Sequence, residues 1–120
     1  MHFFDSSELE WQPHPRFADV RYQQFESRAT HPTGDFSMMR VRLAPGGVID
    51  THVHERETET AYVLSGEGLL TCGPGTDADD EQHRLTPGRG VSIPPMLAHR
   101  LSNHGAVEIE IIAIHSPPIM

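Results

Sequence analysis

Gly46-Gly47-Val48-Ile49-Asp50-Thr51-His52-Val53-His54-Glu55-Arg56-Glu57-Thr58-Glu59 is the stretch on which the reading of this chain turns. Ala44-Pro45-Gly46-Gly47 is a turn signal, and residues 48–54 read as the strand that follows it. Two positions apart on a strand, His52 and His54 project from one face, about 7 Å apart along the chain, close enough to converge on one ion. Glu59 comes after the polar link Glu55-Arg56-Glu57-Thr58. A turn in that link brings Glu59 to the start of the next antiparallel strand, on a face shared with Ala61 and Val63. A further strand over 97–103 points His99 the same way as Leu97 and Leu101. An inward imidazole among apolar neighbours needs a polar partner, and a metal ion supplies one. Neutral imidazoles plus one carboxylate suit iron, manganese, cobalt, nickel, copper or zinc, and suit the all-oxygen shells of calcium and magnesium poorly. Four such ligands leave one or two coordination positions open.

Outward from this stretch the chain reads as short strands. Met39, Val41 and Leu43 alternate with Arg40 and Arg42, and Val107, Ile109 and Ile111 alternate with Glu108 and Glu110. Residues 59–65 form a strand, Ser65-Gly66-Glu67-Gly68 a hairpin into 69–72, and residues 83–86 and 91–94 two more strands around Pro87-Gly88. No helical apolar period persists. An all-β, antiparallel barrel or double-sheet jelly roll is the architecture that hides so many strand edges in 120 residues. Residues 1–30 form a separate N-terminal arm, with a helical turn near Ser6–Trp11 and a strand over 20–25, expected to cover the barrel or a neighbouring subunit; 31–120 are the barrel.

Composition narrows the class. The net charge is −8 and the nine basic residues are all arginine, with no basic stripe, so nucleic acid and anionic membrane surfaces lack an electrostatic driving force. No apolar run approaches spanning length and Met1–Asp5 carries no basic, leader-like start, which makes the cytoplasm the expected location. Cys72 is the sole cysteine and reads as a small apolar side chain in a strand. The acidic run in Gly73–Glu81 lacks the glycine and terminal glutamate of a calcium loop and reads as a solvated loop. His2, His14, His31, His83, His104 and His115 show no convergence of the quartet's kind and read mostly as surface residues.

The flanks of the quartet resemble the two motifs of the cupin superfamily. Gly46, His52, His54, Glu59 and Gly66 match the first motif at every fixed point. Gly88, Pro94, His99 and Asn103 match the second, and Met96 stands where the family usually has glycine. The resemblance implies a double-stranded β-helix, with His52, His54, Glu59 and His99 holding one divalent metal, Gly46, Gly66 and Gly88 making turns, and Pro94 and Asn103 structural. It also implies pairing as a homodimer. Methionine at 96 implies a differently shaped turn and a side chain reaching toward the pocket mouth.

Three functions are compatible with such a site. The first is an oxygenase-type metalloenzyme, with iron favoured, acting on a small oxygen-bearing molecule behind an apolar wall of Ala61, Val63, Leu97 and Leu101, with Met96 at the mouth. The second is a redox-neutral isomerase, lyase or decarboxylase using the ion as a Lewis acid. That chemistry needs a proton carrier, for which Tyr62, His104 and His115 are the candidates. The third is a non-catalytic module that binds metal and a small ligand.

Overall fold

The structure, a computed structural model, describes residues 1–74 and 79–120. Residues 75–78, the middle of the expected acidic loop, lie outside the described residues. After a short 3-10 turn at Ser6–Glu8 come ten strands: β1 (Gln12–Pro13), β2 (Val20–Glu26), β3 (Ser37–Leu43), β4 (Val48–His52), β5 (Thr58–Ser65), β6 (Gly68–Cys72), β7 (Glu81–Leu85), β8 (Gly90–Ile93), β9 (His99–Ser102) and β10 (Ile109–Ser116). They form a six-stranded sheet in the order β1-β2-β3-β10-β5-β8 and a four-stranded sheet in the order β4-β9-β6-β7. All pairings are antiparallel. The fold is the all-β double-sheet barrel that the alternation pattern demands.

That alternation is also what builds the interior. On β3 every second residue is buried: Ser37, Met39, Val41 and Leu43. On β10 the buried set is Ile109, Ile111, Ala113 and His115. Leu70, Leu85 and Leu101 close the core from the four-stranded sheet. Leu43 and Ile109 are fully buried, and each stabilises the fold by about 2 kcal/mol on the usual area scale. On the outer face of the larger sheet, Arg40 and Arg42 clasp Glu110 at 2.6 and 2.7 Å.

Three local features fix the strands that carry the site. The Asn103 side chain is buried and donates to the carbonyls of Leu43, Ala44 and Val107, while its oxygen accepts from Gly105 N–H. Gly66 sits at φ 79°, and a Cβ there would collide with the Glu108 carbonyl. Met96 adopts φ 68°, so the turn keeps the left-handed backbone that glycine favours and is not reshaped by methionine. Its N–H donates to the His54 carbonyl at 2.8 Å, tying the loop before β9 to the segment after β4.

The first thirty residues pack on their own barrel. Residues 6 and 9 accept hydrogen bonds from buried Gln23, Phe4 stacks on Phe25 at 4.6 Å, and the Trp11 ring lies 3.9 Å from the Arg42 guanidinium carbon. β2 then enters the sheet beside β3. No helix among the described residues is long and apolar enough to cross a membrane.

Candidate metal centre

Four strands deliver the donors to one end of the barrel. His52 closes β4 and pairs in register with His99, the first residue of β9. The register is irregular between Ile49 and His52, and the strand ends at His52, so His54 follows in irregular backbone rather than on the strand expected to reach it. Glu59 lies near the start of β5, and its register partner on β10 is His115. The ring centroids of His52 and His54 are 4.9 Å apart, those of His52 and His99 4.3 Å, and those of His54 and His99 5.3 Å.

Glu59 Oε2 stands 3.1 Å from His99 Nε2 and 3.6 Å from His54 Nε2, and its Oε1 is 3.5 Å from His115 Nε2. Two sets of three residues, His52, His54, His99 and His54, Glu59, His115, have ligand atoms within 4.8 Å of one another, which can hold a metal ion. The donor chemistry fits one. His52 Nδ1 lies 2.7 Å from the Asp50 carbonyl and His99 Nδ1 2.9 Å from the Leu97 carbonyl. Donation to those carbonyls places the neutral ring's proton on Nδ1 and leaves an Nε2 lone pair free for the site. Nε2 of both His54 and His99 is buried with no hydrogen-bond partner among the described residues. Such orphans are costly unless a cation takes up the lone pairs.

The ionisation of Glu59 and His52 suits ligation, whereas His99, beside the Glu59 carboxylate, is drawn toward its protonated form, which an ion would have to displace. Burial works to raise the Glu59 carboxyl, but contacts from His115, His54 and His99 outweigh it and hold the group well below the ordinary carboxylate range. Burial pushes His52 down, aided by the neighbouring rings of His99 and His54. Burial also acts to lower His99, where the Glu59 carboxylate and the Leu97 carbonyl more than reverse it.

The donors open onto a cavity of about 340 Å³. Its wall is mostly apolar, built from both sheets, from Phe17 of the N-terminal segment and from Ile119 and Met120 at the C-terminus. Of the residues expected to line it, Ala61 and Leu101 do. Val63 does not: it points inward as expected but is packed in the core, beyond the cavity. Met96 and Leu97 are corrections of another kind. Both precede β9 in a turn and are exposed, Met96 at 63%, because strand alternation starts only at His99.

Among the remaining histidines, His2, His31, His83 and His104 are exposed. His115 and His14 depart from the surface placement expected of them. His115 is 4% exposed and faces Glu59; continuing the inward set Ile109, Ile111, Ala113 by one step would have found it. His14 is half-buried and lines the cavity, a placement that came only with the folding of the N-terminal segment over the barrel end. Tyr62 and His104, the other candidate proton carriers, are exposed and line no part of the cavity. Cys72 is partly buried, which pushes its thiol upward, as an inert packing residue requires.

The model of the family described as "Cupin domain" matches residues 39–115, both histidine motifs included. This chain is a cupin. Over 83 residues the cupin is 31% identical to the alginate biosynthesis protein AlgA of Pseudomonas aeruginosa, an alignment covering 69% of the chain and 16% of AlgA. It thus spans about one sixth of that relative's length. Among solved structures, KdgF from Halomonas sp. superposes with a TM-score of 0.79 at 23% identity, over 98% of this chain and 94% of that one. A predicted oxalate decarboxylase from Thermotoga maritima gives 0.81 at 21% identity, over 97% and 99%. At these identities the two structures speak for the fold.

Proposed function

We propose that this cupin is a mononuclear metalloenzyme of oxygenase type, acting on a compact, largely apolar molecule that offers the ion an oxygen donor. The observation that supports the reading is that the side chains of His52, His54, Glu59 and His99 approach one another in the wall of an otherwise mostly apolar cavity of about 340 Å³. An ion bound there supplies Lewis acidity and, if iron, a redox couple at its open coordination positions. The chain's own contribution is to hold and to exclude. The Asp50 and Leu97 carbonyls fix the ring orientation of His52 and His99. Glu59 brings the one negative charge of the donor set. The apolar wall of Met39, Val41, Ala61, Leu101, Ile111 and Ala113 keeps bulk water from the reacting centre.

A second reading is favoured by one observation. His115 is buried in the cavity wall beside Glu59, where a redox-neutral isomerase, lyase or decarboxylase needs a group able to carry a proton. Elemental analysis of protein purified without chelator, combined with oxygen uptake on a panel of diphenols, diketones and thiols, separates the readings. Bound iron with oxygen consumption supports the oxygenase. Tight manganese, zinc or nickel with turnover but no oxygen uptake supports the second reading. Ligand binding without turnover of any panel member points instead to a non-catalytic binding module. We also read the protein as a homodimer, for which sedimentation velocity is the test; exposed Tyr62 and Leu64 on β5 give the larger sheet an apolar outer surface on which to pair.

A further inference from the structure

The cavity lining has a second polar patch. Residues 14–17 form part of it, with Pro15 and Arg16 exposed and His14 and Phe17 half-buried. This segment is braced by a side-chain cap: His14 Nδ1 accepts the N–H of Arg16 at 3.0 Å and that of Phe17 at 3.3 Å. With Nδ1 accepting, the proton of the neutral ring sits on Nε2, which has no acceptor among the described residues. The Phe17 ring packs 5.3 Å from the His52 ring, so the segment abuts the metal centre itself. The Arg16 guanidinium lies over Phe17 at 5.3 Å and pairs with no carboxylate among the described residues. Among these residues Arg28 and Arg89, which also lack a carboxylate partner, donate instead to the Pro118 and Arg84 carbonyls, and Arg16 is the one arginine in the cavity lining.

The charge balance of the cavity is therefore unlike that of the molecule. The chain carries −8, yet the side chains lining the cavity include one arginine and one carboxylate, and that carboxylate is committed to the histidine cluster. With a divalent ion on Glu59 the cavity holds excess positive charge, next to a neutral donor on His14 and walls of low polarity. Such a site favours an anion, since both the ion and the Arg16 guanidinium attract negative charge toward walls of low polarity.

We infer that the ligand of this cavity is a carboxylate: an apolar body whose oxygen donor meets the metal centre and whose acid group is read at the mouth by Arg16, with the His14 Nε2–H beside it. Arg16 is on this account a specificity-determining residue. The inference rests on the reading of the cavity as a small-molecule site and names the class of molecule it takes.

The test uses a matched pair, 3,4-dihydroxybenzoate and 3,4-dihydroxybenzamide, which share a metal-binding end and differ only in the charge at the other. Each is titrated calorimetrically into zinc-loaded wild-type protein, Arg16→Gln and Arg16→Lys, after zinc content and melting temperature have been measured for all three. Wild type is expected to bind the acid about tenfold more tightly than the amide, the scale of one charge-assisted hydrogen bond. Arg16→Gln abolishes that preference with the amide's affinity unchanged, and Arg16→Lys retains part of it. Equal binding of acid and amide by wild type, an undiminished preference in Arg16→Gln, or failure of the acid to bind would each overturn the inference. If the protein takes up no zinc, the metal-centre reading fails separately; the same titrations on ion-free protein still decide whether Arg16 discriminates acid from amide.

Discussion

Glu59 divides its two oxygens between the two halves of the site: Oε2 lies 3.1 Å from His99 Nε2, and Oε1 lies 3.5 Å from His115 Nε2, across the β5–β10 register that pairs Glu59 with His115. An ion held on Oε2 by the histidine side leaves Oε1 to accept from His115, and a carboxylate so engaged binds with one oxygen and keeps a coordination position open. His115 is in this account a positioning residue. His115→Ala is expected to weaken metal affinity about tenfold, the lower end of losses seen when a partner of a ligand is removed, and His115→Gln to recover part of it. Competition against chelators of graded affinity checks this; unchanged affinity in the alanine variant would show that Glu59 needs no such support.

Met96 carries a left-handed backbone without being glycine. A Cβ in that region costs about 1–2 kcal/mol, and the glycine variant gives back part of the gain through a freer unfolded chain, about 0.4–1 kcal/mol. Its exposed side chain contributes little burial. Met96→Gly is therefore expected to stabilise the fold by up to about 1 kcal/mol with metal content unchanged, as read by urea denaturation and elemental analysis. A destabilised variant would mean that the methionine side chain has a packing role which its exposure hides.

Asn103 holds three carbonyls and one N–H together where the turn before β4 meets the end of β9. Asn103→Ala leaves those carbonyls short of a donor in a buried setting, a cost of about 3 kcal/mol. The expected result is a shift of the urea midpoint with unchanged slope; a variant as stable as wild type would show that water replaces the amide.

Glu110 gives the pH dependence. Burial acts to raise its carboxyl, but hydrogen bonds from Arg40 and Arg42 outweigh this and hold it below the ordinary glutamate range. A carboxyl whose folded pKa is depressed adds stability above its unfolded pKa and loses it as pH falls through the folded value. The melting temperature of wild type should therefore exceed that of Glu110→Gln at neutral pH, and the gap should close in acid. A gap that widened toward low pH would contradict the assignment.

The quartet was legible because the two strand periods and a set of turn residues converge on it. His52 and His54 share a side, Glu59 falls on the inward face with Ala61, and Gly66 stands where the structure has no room for a Cβ. What escaped did so for identifiable reasons. His115 belongs to the same alternation as Ile109 and Ile111, but the alternation read from the sequence stops at Ile111 while the strand runs on to Ser116. Leu97 was given a strand's alternation although it belongs to the turn before β9. The part played by His14, Arg16 and Phe17 had no local signal at all. Their contact with the cavity depends on the path of the chain between β1 and β2, a long-range matter of tertiary packing rather than of pattern.

On the proposed reading, His99 joins His52, His54 and Glu59 on one ion. The most direct measurement is the metal stoichiometry of wild type and His99→Ala, purified in parallel without chelator and compared by circular dichroism. About one transition-metal ion per wild-type chain is expected, with an at least tenfold loss in the variant and the β-sheet spectrum retained, since a ligand is removed and the strands are not. Equal stoichiometry in the two proteins would contradict it.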